Sequence, residues 1–235
     1  MNLAILQARM SSTRLPGKVL RPILGEPMIA RQIERLRRAR RIDKLVVATS
    51  TDVSDDLLAD FIQELGIDVY RGDLKDVLSR YVETLETFGP ADIVIRLTAD
   101  CPLTDPVLID TLIELRAATD ADIVSLDVHP SFPQGLDAEI IRSSALRAAG
   151  AEAELAYDRE HVTPFIYARP DRFKIGSLTQ QRDESHVRWT VDTPEDFAFV
   201  SRVYEALYPT HPTFLQEDIR ALDFGLTHHD ALVKA

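Results

Sequence analysis

Short apolar runs alternate along the chain with longer segments whose apolar residues recur at helical spacing. Five runs have the length and composition of buried strands, and they lie at about 3–6, 45–49, 67–70, 93–97 and 123–126. The segments between them predict helices at about 28–40, 54–66, 74–88 and 105–117. Strands that alternate with helices at this spacing predict an α/β fold with a mostly parallel sheet and right-handed crossovers.

After residue 126 the alternation changes. A turn-rich loop occupies 129–135, and the pattern then predicts a strand at 138–141, helices at 143–152 and 155–168, strands at 172–178 and 186–190, and a helix at 194–207. No internal repeat, low-complexity tract or linker interrupts the sequence. We therefore interpret residues 1–235 as one domain with a substrate-facing insertion at about 128–185.

Side chains at three predicted helix starts have the chemistry of N-caps. Ser54 and Asp105 precede the second and fourth helices, and each can accept a hydrogen bond from the first turn. Thr193 and Asp196 flank a proline at the start of the last helix, in the spacing of a capping box with Asp in place of Glu. We interpret Asp196 mainly as a helix cap and only secondarily as a metal ligand.

The first predicted helix combines an apolar stripe with many cations. These are Arg31, Arg35, Arg37, Arg38, Arg40 and Arg41. The run is compatible with an anionic partner, but a solvated helix face is the favoured interpretation.

Composition and charge exclude several classes of protein. A net charge of −11 argues against a nucleic-acid partner, although local cations and bound metal ions can reverse the field within a nucleotide cleft. No stretch approaches the roughly 18 to 20 continuous apolar residues of a membrane span, and the N-terminus lacks a signal-peptide pattern. We therefore expect no membrane association and a cytoplasmic location. The single cysteine, Cys101, excludes an internal disulfide and a cysteine-based metal cluster.

The loop after the first strand carries three cations among small and hydroxylic residues. Arg9, Arg14 and Lys18 are suited to binding a polyphosphate, since Arg offers bidentate donors and Lys a compact charge. In an open α/β sheet, ligands bind at the carboxyl ends of the strands, where this loop begins. The same cations are also compatible with an ordinary solvated loop. The chain contains neither GxxxxGK[ST] nor GxGxxG.

Two aspartates follow strand-like runs and precede a proline by two residues. Asp100 and Asp192 could together hold Mg²⁺, which prefers one or two carboxylates completed by phosphate oxygens and water. Without a metal, the two carboxylates would repel each other. The alternatives are a polar turn residue for Asp100 and a residue at a helix start for Asp192. Arg159 and His161 lie on a helix; a helical histidine is more often structural, but the pair could contact an acidic or polyhydroxyl substrate.

Several motifs in this order resemble the cytidylyltransferases that make CMP-activated sugar acids. The opening resembles their L-P-A-R-x-x-S-x-R-[LI]-P-x-K signature, and its Gln7 and Gly17 are closest to the spore-coat polysaccharide branch. The other matching segments are 71–72, 76–80, 98–103, 132–139, 159–164 and 190–196, so the resemblance spans about 3–200.

The resemblance implies a Rossmann-like nucleotide-diphospho-sugar transferase fold. It also implies that a sugar hydroxyl attacks the α-phosphate of CTP and releases pyrophosphate. Arg9, Lys18 and Asp100 would be catalytic, Asp100 and Asp192 would hold Mg²⁺, and the nucleotide would contact Ala8, Arg9, Arg14, Lys18, Thr49, Arg71, Arg80 and Thr98. Ala8, Thr49 and Arg71 would frame the cytosine, with Arg80 supporting that pocket. The acceptor would contact Gly135, Asp137, Glu139, Arg159 and His161.

The resemblance leaves the acceptor open, because the sugar-acid enzymes have a different central segment. We therefore expect a Mg²⁺-dependent cytidylyltransferase of cell-surface polysaccharide synthesis that uses a sugar or sugar-acid hydroxyl. A homodimer is one assembly compatible with this expectation. The alternatives are a nucleotidylyltransferase of the same fold with another NTP, a glycosyltransferase that uses a nucleotide sugar, and a non-catalytic nucleotide-binding regulator. The D-x-D pair of many metal-dependent glycosyltransferases is absent at 100–102, which counts against the glycosyltransferase. Both candidate metal carboxylates are present, which disfavours the non-catalytic regulator.

Overall fold

The computed structural model describes residues 1–224, and nine strands and nine α-helices lie within them. The strands are β1 (Asn2–Gln7), β2 (Pro22–Ile23), β3 (Glu26–Pro27), β4 (Lys44–Ser50), β5 (Asp68–Gly72), β6 (Ile93–Thr98), β7 (Ile123–Ser125), β8 (Glu139–Arg142) and β9 (Ile175–Ser177). The helices are α1 (Met28–Leu36), α2 (Asp56–Glu64), α3 (Val77–Phe88), α4 (Pro106–Thr119), α5 (Ser143–Glu152), α6 (Ala156–His161), α7 (Pro164–Tyr167), α8 (Pro194–Leu207) and α9 (Gln216–Arg220).

Seven of these strands form one sheet in the order β5-β4-β1-β6-β8-β7-β9, and β2 pairs with β3 separately. Strands β5, β4, β1 and β6 run parallel, as do β7 and β9, which confirms the prediction of a mostly parallel α/β sheet. Strand β8 runs antiparallel to both β6 and β7. It therefore begins at the edge where its neighbours end, so that the start of β8 and the ends of β6 and β7 lie side by side. Strands β8 and β9 come from the predicted 128–185 insertion and belong to the main sheet.

Helices cover both faces of this sheet. One hydrophobic core lies under α1, α2, α4, α8 and α9, and the other lies under α3, α5 and α7. Side chains alternate between the cores along each strand, as in β1, where Ala4 and Leu6 face the first core and Leu3 and Ile5 the second. Because both faces are buried, these strands are continuously apolar in sequence. No helix in residues 1–224 is long and apolar enough to cross a membrane.

The first helix differs from its prediction. Helix α1 ends at Leu36 rather than near residue 40, and two of its arginines are buried. The Arg31 Nε–H donates to the carbonyl of Ile23 (3.1 Å), and the Arg35 Nε–H donates to the carbonyl of Thr104 (2.7 Å). The prediction of a solvated face is therefore wrong for these two residues, because segments distant in sequence cover them. It is correct for Arg37, Arg40 and Arg41, which are exposed.

Three further details were predicted wrongly. The helix expected at 155–168 is split into α6 and α7 at Val162, whose φ of 74° leaves the helical region two residues before Pro164. The segment at 186–190 contains no strand and forms only an isolated bridge between Gln134 and Arg188. Ser54 is not an N-cap, because the side chain of Asp52 caps the short 3₁₀ turn that leads into α2.

The other two predicted caps are confirmed. The Asp105 carboxylate accepts hydrogen bonds from the N–H groups of Val107 (2.9 Å) and Leu108 (3.2 Å) at the start of α4. Thr193 and Asp196 form the predicted capping box at the start of α8. Both caps place a proline at the first helical position, so each fixes where the chain leaves the sheet edge.

Candidate active site

A cavity of about 210 Å³ opens at the edge of the sheet where β1 and β6 end. It brings together segments that are far apart in sequence: the end of β1, the loop that follows it, the loop after β6 and the start of α8. Its lining residues are Gln7, Ala8, Arg9, Ser12, Thr13, Arg14, Lys18, Val19, Thr98, Ala99, Asp100 and Asp192. Seven residues that the sequence predicted for the nucleotide or the metal are among them: Ala8, Arg9, Arg14, Lys18, Thr98, Asp100 and Asp192.

The loop that carries the three cations is tied at both ends. Asp55 is fully buried, and its Oδ1 accepts a hydrogen bond from the N–H of Met10 (2.7 Å), while its Oδ2 accepts one from the N–H of Ser50 (3.1 Å). The carbonyl of Met10 in turn accepts hydrogen bonds from the N–H groups of Ser12 (2.9 Å) and Gly17 (3.0 Å). Gly17 has a φ of 69°, a left-handed conformation that glycine adopts without steric cost. Residues 11–16 therefore form a closed loop at the mouth of the cavity.

Lys18 lies at the centre of the charged part of the cavity. Its Nζ donates to the carbonyl of Val191 (2.6 Å) and to Asp192 Oδ1 (3.1 Å), and it lies 3.7 Å from Asp100 Oδ2. The residue is only 9% exposed. One ammonium group thus contacts both carboxylates that the sequence predicted as metal ligands.

Asp192 is held by two further cations. Arg14 Nη2 lies 3.1 Å from Asp192 Oδ2, and Arg188 Nη2 donates to the same oxygen at 2.5 Å. Burial by itself would raise the pKa of Asp192, but Lys18, Arg188 and Arg14 outweigh it and hold the pKa below its ordinary value. Asp192 is therefore a carboxylate throughout the neutral pH range.

Arg188 connects this carboxylate to the cap of α8. Its Nε donates to Asp196 Oδ1 (3.1 Å), while Asp196 Oδ2 accepts hydrogen bonds from the N–H groups of Asp192 and Thr193 (both 2.9 Å). Asp196 is thus the predicted cap and also fixes the backbone of Asp192. The sequence interpretation missed Arg188, and the available signal was its position four residues before Asp192.

Asp100 and Asp192 fit the requirements of a Mg²⁺ site. Their side chains are 32% and 20% exposed, and both reach the same cationic nitrogen, so their oxygens face a common point. Within residues 1–224, no group of three or more His, Cys, Asp or Glu side chains is placed to hold a metal ion. A metal at this point would therefore complete its oxygen ligands with phosphate and water, as Mg²⁺ commonly does.

The other predicted nucleotide residues lie beside the cavity and do not line it. Thr49 and Arg71 are paired neighbours at the ends of β4 and β5, and Thr49 is fully buried. The Arg71 guanidinium donates to the carbonyl of Ser50 (2.9 Å) and pairs with Asp56 (2.6 Å), so it fastens the loop after β4. Arg80 is fully buried and its Nη1 donates to a carbonyl (2.7 Å), but its Nε and Nη2 have no partner among the described residues.

The predicted acceptor residues near β8 lie along the same edge of the sheet. Gly135 has a φ of 102°, and a Cβ added there would lie 2.4 Å from the backbone nitrogen of Thr190. Glycine therefore allows the 133–136 loop to approach the segment that leads to Asp192. Asp137 follows closely, and its Oδ2 accepts a hydrogen bond from the N–H of Gly135 (2.9 Å).

Glu139 is the centre of a buried polar group that the sequence did not predict. Its Oε2 accepts from Arg96 Nη1 (2.6 Å), and its Oε1 accepts from the hydroxyl of Tyr167 (2.7 Å). The Thr163 hydroxyl lies 3.4 Å from Oε2. Arg96 and Glu139 are register partners of β6 and β8, so the antiparallel pairing itself brings the charges together.

The carboxyl groups of Asp127 and Asp137 lie close to Glu139 and interact with each other. Burial, together with the negative charge of Asp127, raises the pKa of Asp137 to about 7. Desolvation of its carboxyl group and the negative charge of Glu139 also raise the pKa of Asp127, although the residue as a whole is exposed and its hydrogen bond with Asp137 opposes that rise. A second cavity, of about 280 Å³, is lined by Asp127, Val128, Tyr167 and Ile175. This half of the edge is therefore acidic.

Arg159 and His161 line neither of these two cavities. The Arg159 guanidinium pairs with Asp76 (2.6 Å) and donates to the carbonyl of Ala153 (3.0 Å), which connects α6 to the start of α3. His161 is exposed, and its ring lies 4.4 Å from that of Tyr157. Their predicted contact with the acceptor stays a prediction.

Comparisons with known proteins agree with this architecture. A family model described as cytidylyltransferase matches residues 3–220. The chain is 33% identical over 213 residues to the spore coat polysaccharide biosynthesis protein SpsF of Bacillus subtilis, and the match covers 86% of each chain. A solved cytidylyltransferase from Leptospira borgpetersenii superposes with a TM-score of 0.87 at 30% identity, covering 92% of this chain and 91% of that one.

A more distant structure shares the fold. CMP:2-keto-3-deoxy-manno-octonic acid synthetase, solved in complex with CTP, superposes with a TM-score of 0.66 at 19% identity and covers 87% of this chain and 98% of that one. The Rossmann-like nucleotidyltransferase architecture predicted from the sequence is confirmed by these superpositions.

Proposed function

The chain belongs to the cytidylyltransferase family, and we propose that it transfers CMP from CTP to the hydroxyl of a sugar-type acceptor and releases pyrophosphate. We further propose that the reaction depends on Mg²⁺ and supplies the synthesis of a cell-surface polysaccharide. SpsF, a spore coat polysaccharide biosynthesis protein that aligns over most of its length, supports the link to polysaccharide synthesis.

The observation that carries the proposal is the charge arrangement of the cavity at the ends of β1 and β6. Arg9, Arg14 and Lys18 supply cations from one loop, and Asp100 and Asp192 supply carboxylates from two others. Nucleotidyl transfer needs both charges at one place. Cations can neutralise the triphosphate, and carboxylates can hold a metal ion that would stabilise its developing charge.

The residues of the chain would act mainly by binding and orienting the nucleotide. Arg9 and Arg14 are exposed at the cavity mouth, where their guanidinium groups can each bind two phosphate oxygens. Lys18 is deeper and would contact the phosphate nearest the carboxylates. A bound Mg²⁺ would polarise the α-phosphate and neutralise charge that develops on the leaving pyrophosphate. Asp100 and Asp192 would hold it.

The base would bind at the ends of β1, β4 and β5, between Ala8, Thr49 and Arg71. Ala8 and Thr49 are small, which allows a base to approach the backbone, and the hydroxyl of Thr49 has no partner among the described residues. Arg71 is held in place by Asp56 and would form a fixed wall. We expect a base framed by these residues to be a pyrimidine rather than a purine, so ATP and GTP should compete poorly with CTP in equilibrium binding.

The test is pyrophosphate release from each of the four NTPs, with Mg²⁺ or with EDTA, against a panel of sugar acids, amino sugars and polyol phosphates. We expect release with CTP, only with Mg²⁺, and only with part of the panel. Lys18→Met should abolish release. Lys44→Met is the matched control, because Lys44 pairs with Asp68 and contacts the Phe88 ring and does not line the cavity.

Two outcomes would contradict the proposal. Equal release from ATP or GTP would remove the preference for cytidine while leaving nucleotidyl transfer. Consumption of a nucleotide sugar, with no release of pyrophosphate from any NTP, would assign the chain to the glycosyltransferases instead.

A further inference from the structure

Lys18 contacts the same carboxylate oxygens that a divalent metal would need. Its Nζ lies 3.1 Å from Asp192 Oδ1 and 3.7 Å from Asp100 Oδ2, and it also donates to the carbonyl of Val191 at 2.6 Å. A metal ion that binds both carboxylates would lie within a few ångströms of this ammonium group. The two cations therefore compete for one position.

We propose that Lys18 is an internal counter-ion of the metal site. Its ammonium group pairs with the carboxylates in the free protein and moves to the nucleotide phosphates when Mg²⁺ and nucleotide bind together. This inference rests on the proposed function, because it assumes that Asp100 and Asp192 hold the metal. It adds that the metal binds weakly to the free protein and that metal and nucleotide bind cooperatively.

The charges around Asp192 support weak binding of a free metal. Arg14, Lys18 and Arg188 all contact this carboxylate, so a divalent ion that approaches it without a nucleotide meets three positive charges. Arg188 is also bound to Asp196 and is fixed by that second contact. Arg14 and Lys18 come from the loop and helical turn after β1, and both line the cavity where the triphosphate would lie.

The nucleotide changes this balance because it brings its own negative charge. A lysine has a flexible four-carbon stem and can redirect its ammonium group from a carboxylate to a nearby phosphate. When Lys18 and Arg14 turn to the phosphates, oxygens of Asp100 and Asp192 become available to the metal. By linkage, the metal then raises the affinity for the nucleotide by the same factor as the nucleotide raises the affinity for the metal.

The test measures metal binding directly, without turnover. Mn²⁺ serves as the probe, and its free and bound forms are distinguished by electron paramagnetic resonance, with no nucleotide present. Lys18→Met keeps an unbranched apolar stem and removes the charge, so we expect about tenfold tighter Mn²⁺ binding than in the unmodified protein, as removal of a nearby like charge predicts. Arg14→Met should also bind Mn²⁺ more tightly, by a smaller factor.

Arg9→Met is the matched control, because Arg9 lines the same cavity and is exposed, but it forms no ion pair with either carboxylate among the described residues. Its affinity for Mn²⁺ should change less than that of Lys18→Met or Arg14→Met. Arg14 is 62% exposed on its side chain, so Arg14→Met keeps the test available if Lys18→Met fails to fold.

Two results would overturn the inference. One is unchanged or weaker Mn²⁺ binding in both Lys18→Met and Arg14→Met; the other is tight binding to the unmodified protein that a non-hydrolysable CTP analogue does not improve. Neither result bears on pyrophosphate release from CTP, which tests the proposed function separately.

Discussion

The two halves of the sheet edge have opposite charge and opposite construction. The half over β1 and β6 presents Arg9, Arg14 and Lys18 from one short stretch of chain, and two of these three residues are exposed. The half over β7 and β8 presents Asp127, Asp137 and Glu139 from segments on either side of a loop, and Glu139 is buried. The first half can attract an anion, whereas the second would repel one.

This difference separates two kinds of construction along one sheet edge. Exposed cations on a loop are free to turn towards a ligand, and their charge is the main requirement. The buried carboxylate of Glu139 is fixed by Arg96 and Tyr167, so its position and its hydrogen bonds matter as much as its charge. Changes in the acidic half should therefore alter stability, and changes in the cationic half should alter turnover.

The largest effect is expected at the buried ion pair of the acidic half. Glu139→Ala would leave Arg96 without its carboxylate partner, and breaking a buried pair in this way costs about 3–5 kcal/mol. Unfolding in urea measures the loss. Glu86→Ala is the control, because Glu86 pairs with Arg147 at the surface, where a pair contributes about 0–1 kcal/mol. Similar losses of stability in Glu139→Ala and Glu86→Ala would contradict the expected difference between the buried and the surface ion pair.

The cationic half should respond in the opposite manner. Arg9→Ala removes an exposed charge that fills no core space, so the free energy of unfolding should change by less than about 0.5 kcal/mol. Turnover of CTP should fall about a hundredfold, since loss of one donor to a developing charge commonly has an effect of this size. Pyrophosphate release and thermal melting on the same preparation give both values. Unchanged kinetics would remove Arg9 from the phosphate contacts.

The raised pKa of Asp137 in the acidic half should make the stability of the protein depend on pH. In the unfolded chain an aspartate loses its proton near pH 3.9, whereas burial and Asp127 raise the pKa of Asp137 in the folded protein to about 7. Between these values the folded state binds more protons, so stability falls as the pH rises. Asp137→Asn removes this dependence. We expect it to raise the melting temperature more at pH 8 than at pH 5.

Melting in EDTA keeps metal ions out of this measurement. Asp60→Asn is the control, because Asp60 is exposed on α2 at the other end of the sheet, and it should change the melting temperature equally at both pH values. A larger gain for Asp137→Asn at pH 5 than at pH 8 would contradict the raised pKa.

The smallest effect is expected at Asp196, which caps the start of α8. Asp196→Ala removes a capping box, but Arg188 keeps its second carboxylate partner, Asp192, so the cost should stay within about 0.5–2 kcal/mol, the usual range for a helix cap. Activity at saturating Mg²⁺ should be largely retained, unlike that of Asp192→Asn. Asp105→Ala, which removes the cap of α4, should lose comparable stability with no change in turnover. A stable but inactive Asp196→Ala beside an active Asp192→Asn would assign the metal to Asp196 instead.

The parts of the structure that depend on local pattern could be predicted from the sequence. The apolar strands of the parallel sheet were found because a strand buried on both faces is continuously apolar. The caps at Asp105 and Thr193 were found because their hydrogen bonds span only two or three residues. The family was recognised because the motif around Arg9 and Lys18 is contiguous.

The parts that depend on distant contacts could not be predicted. Arg35 was interpreted as solvated because nothing near it in sequence indicates that Thr104 and Phe214 cover it. Asp100 and Asp192 were expected to repel each other, but Lys18 lies between them. The direction of β8 was not predicted either, and it alone brings Glu139 next to Arg96.

The closed loop at the cavity mouth has a consequence for hydrogen exchange and for the entropy of binding. Because the Met10 N–H is bonded to buried Asp55 and the Gly17 N–H to the Met10 carbonyl, both amides should exchange slowly with solvent. The amides of Thr13 and Arg14, between these two anchors, should exchange rapidly. Most of the entropy cost of ordering the loop is therefore incurred when the protein folds. Only the tip of the loop remains to be immobilised when a phosphate binds.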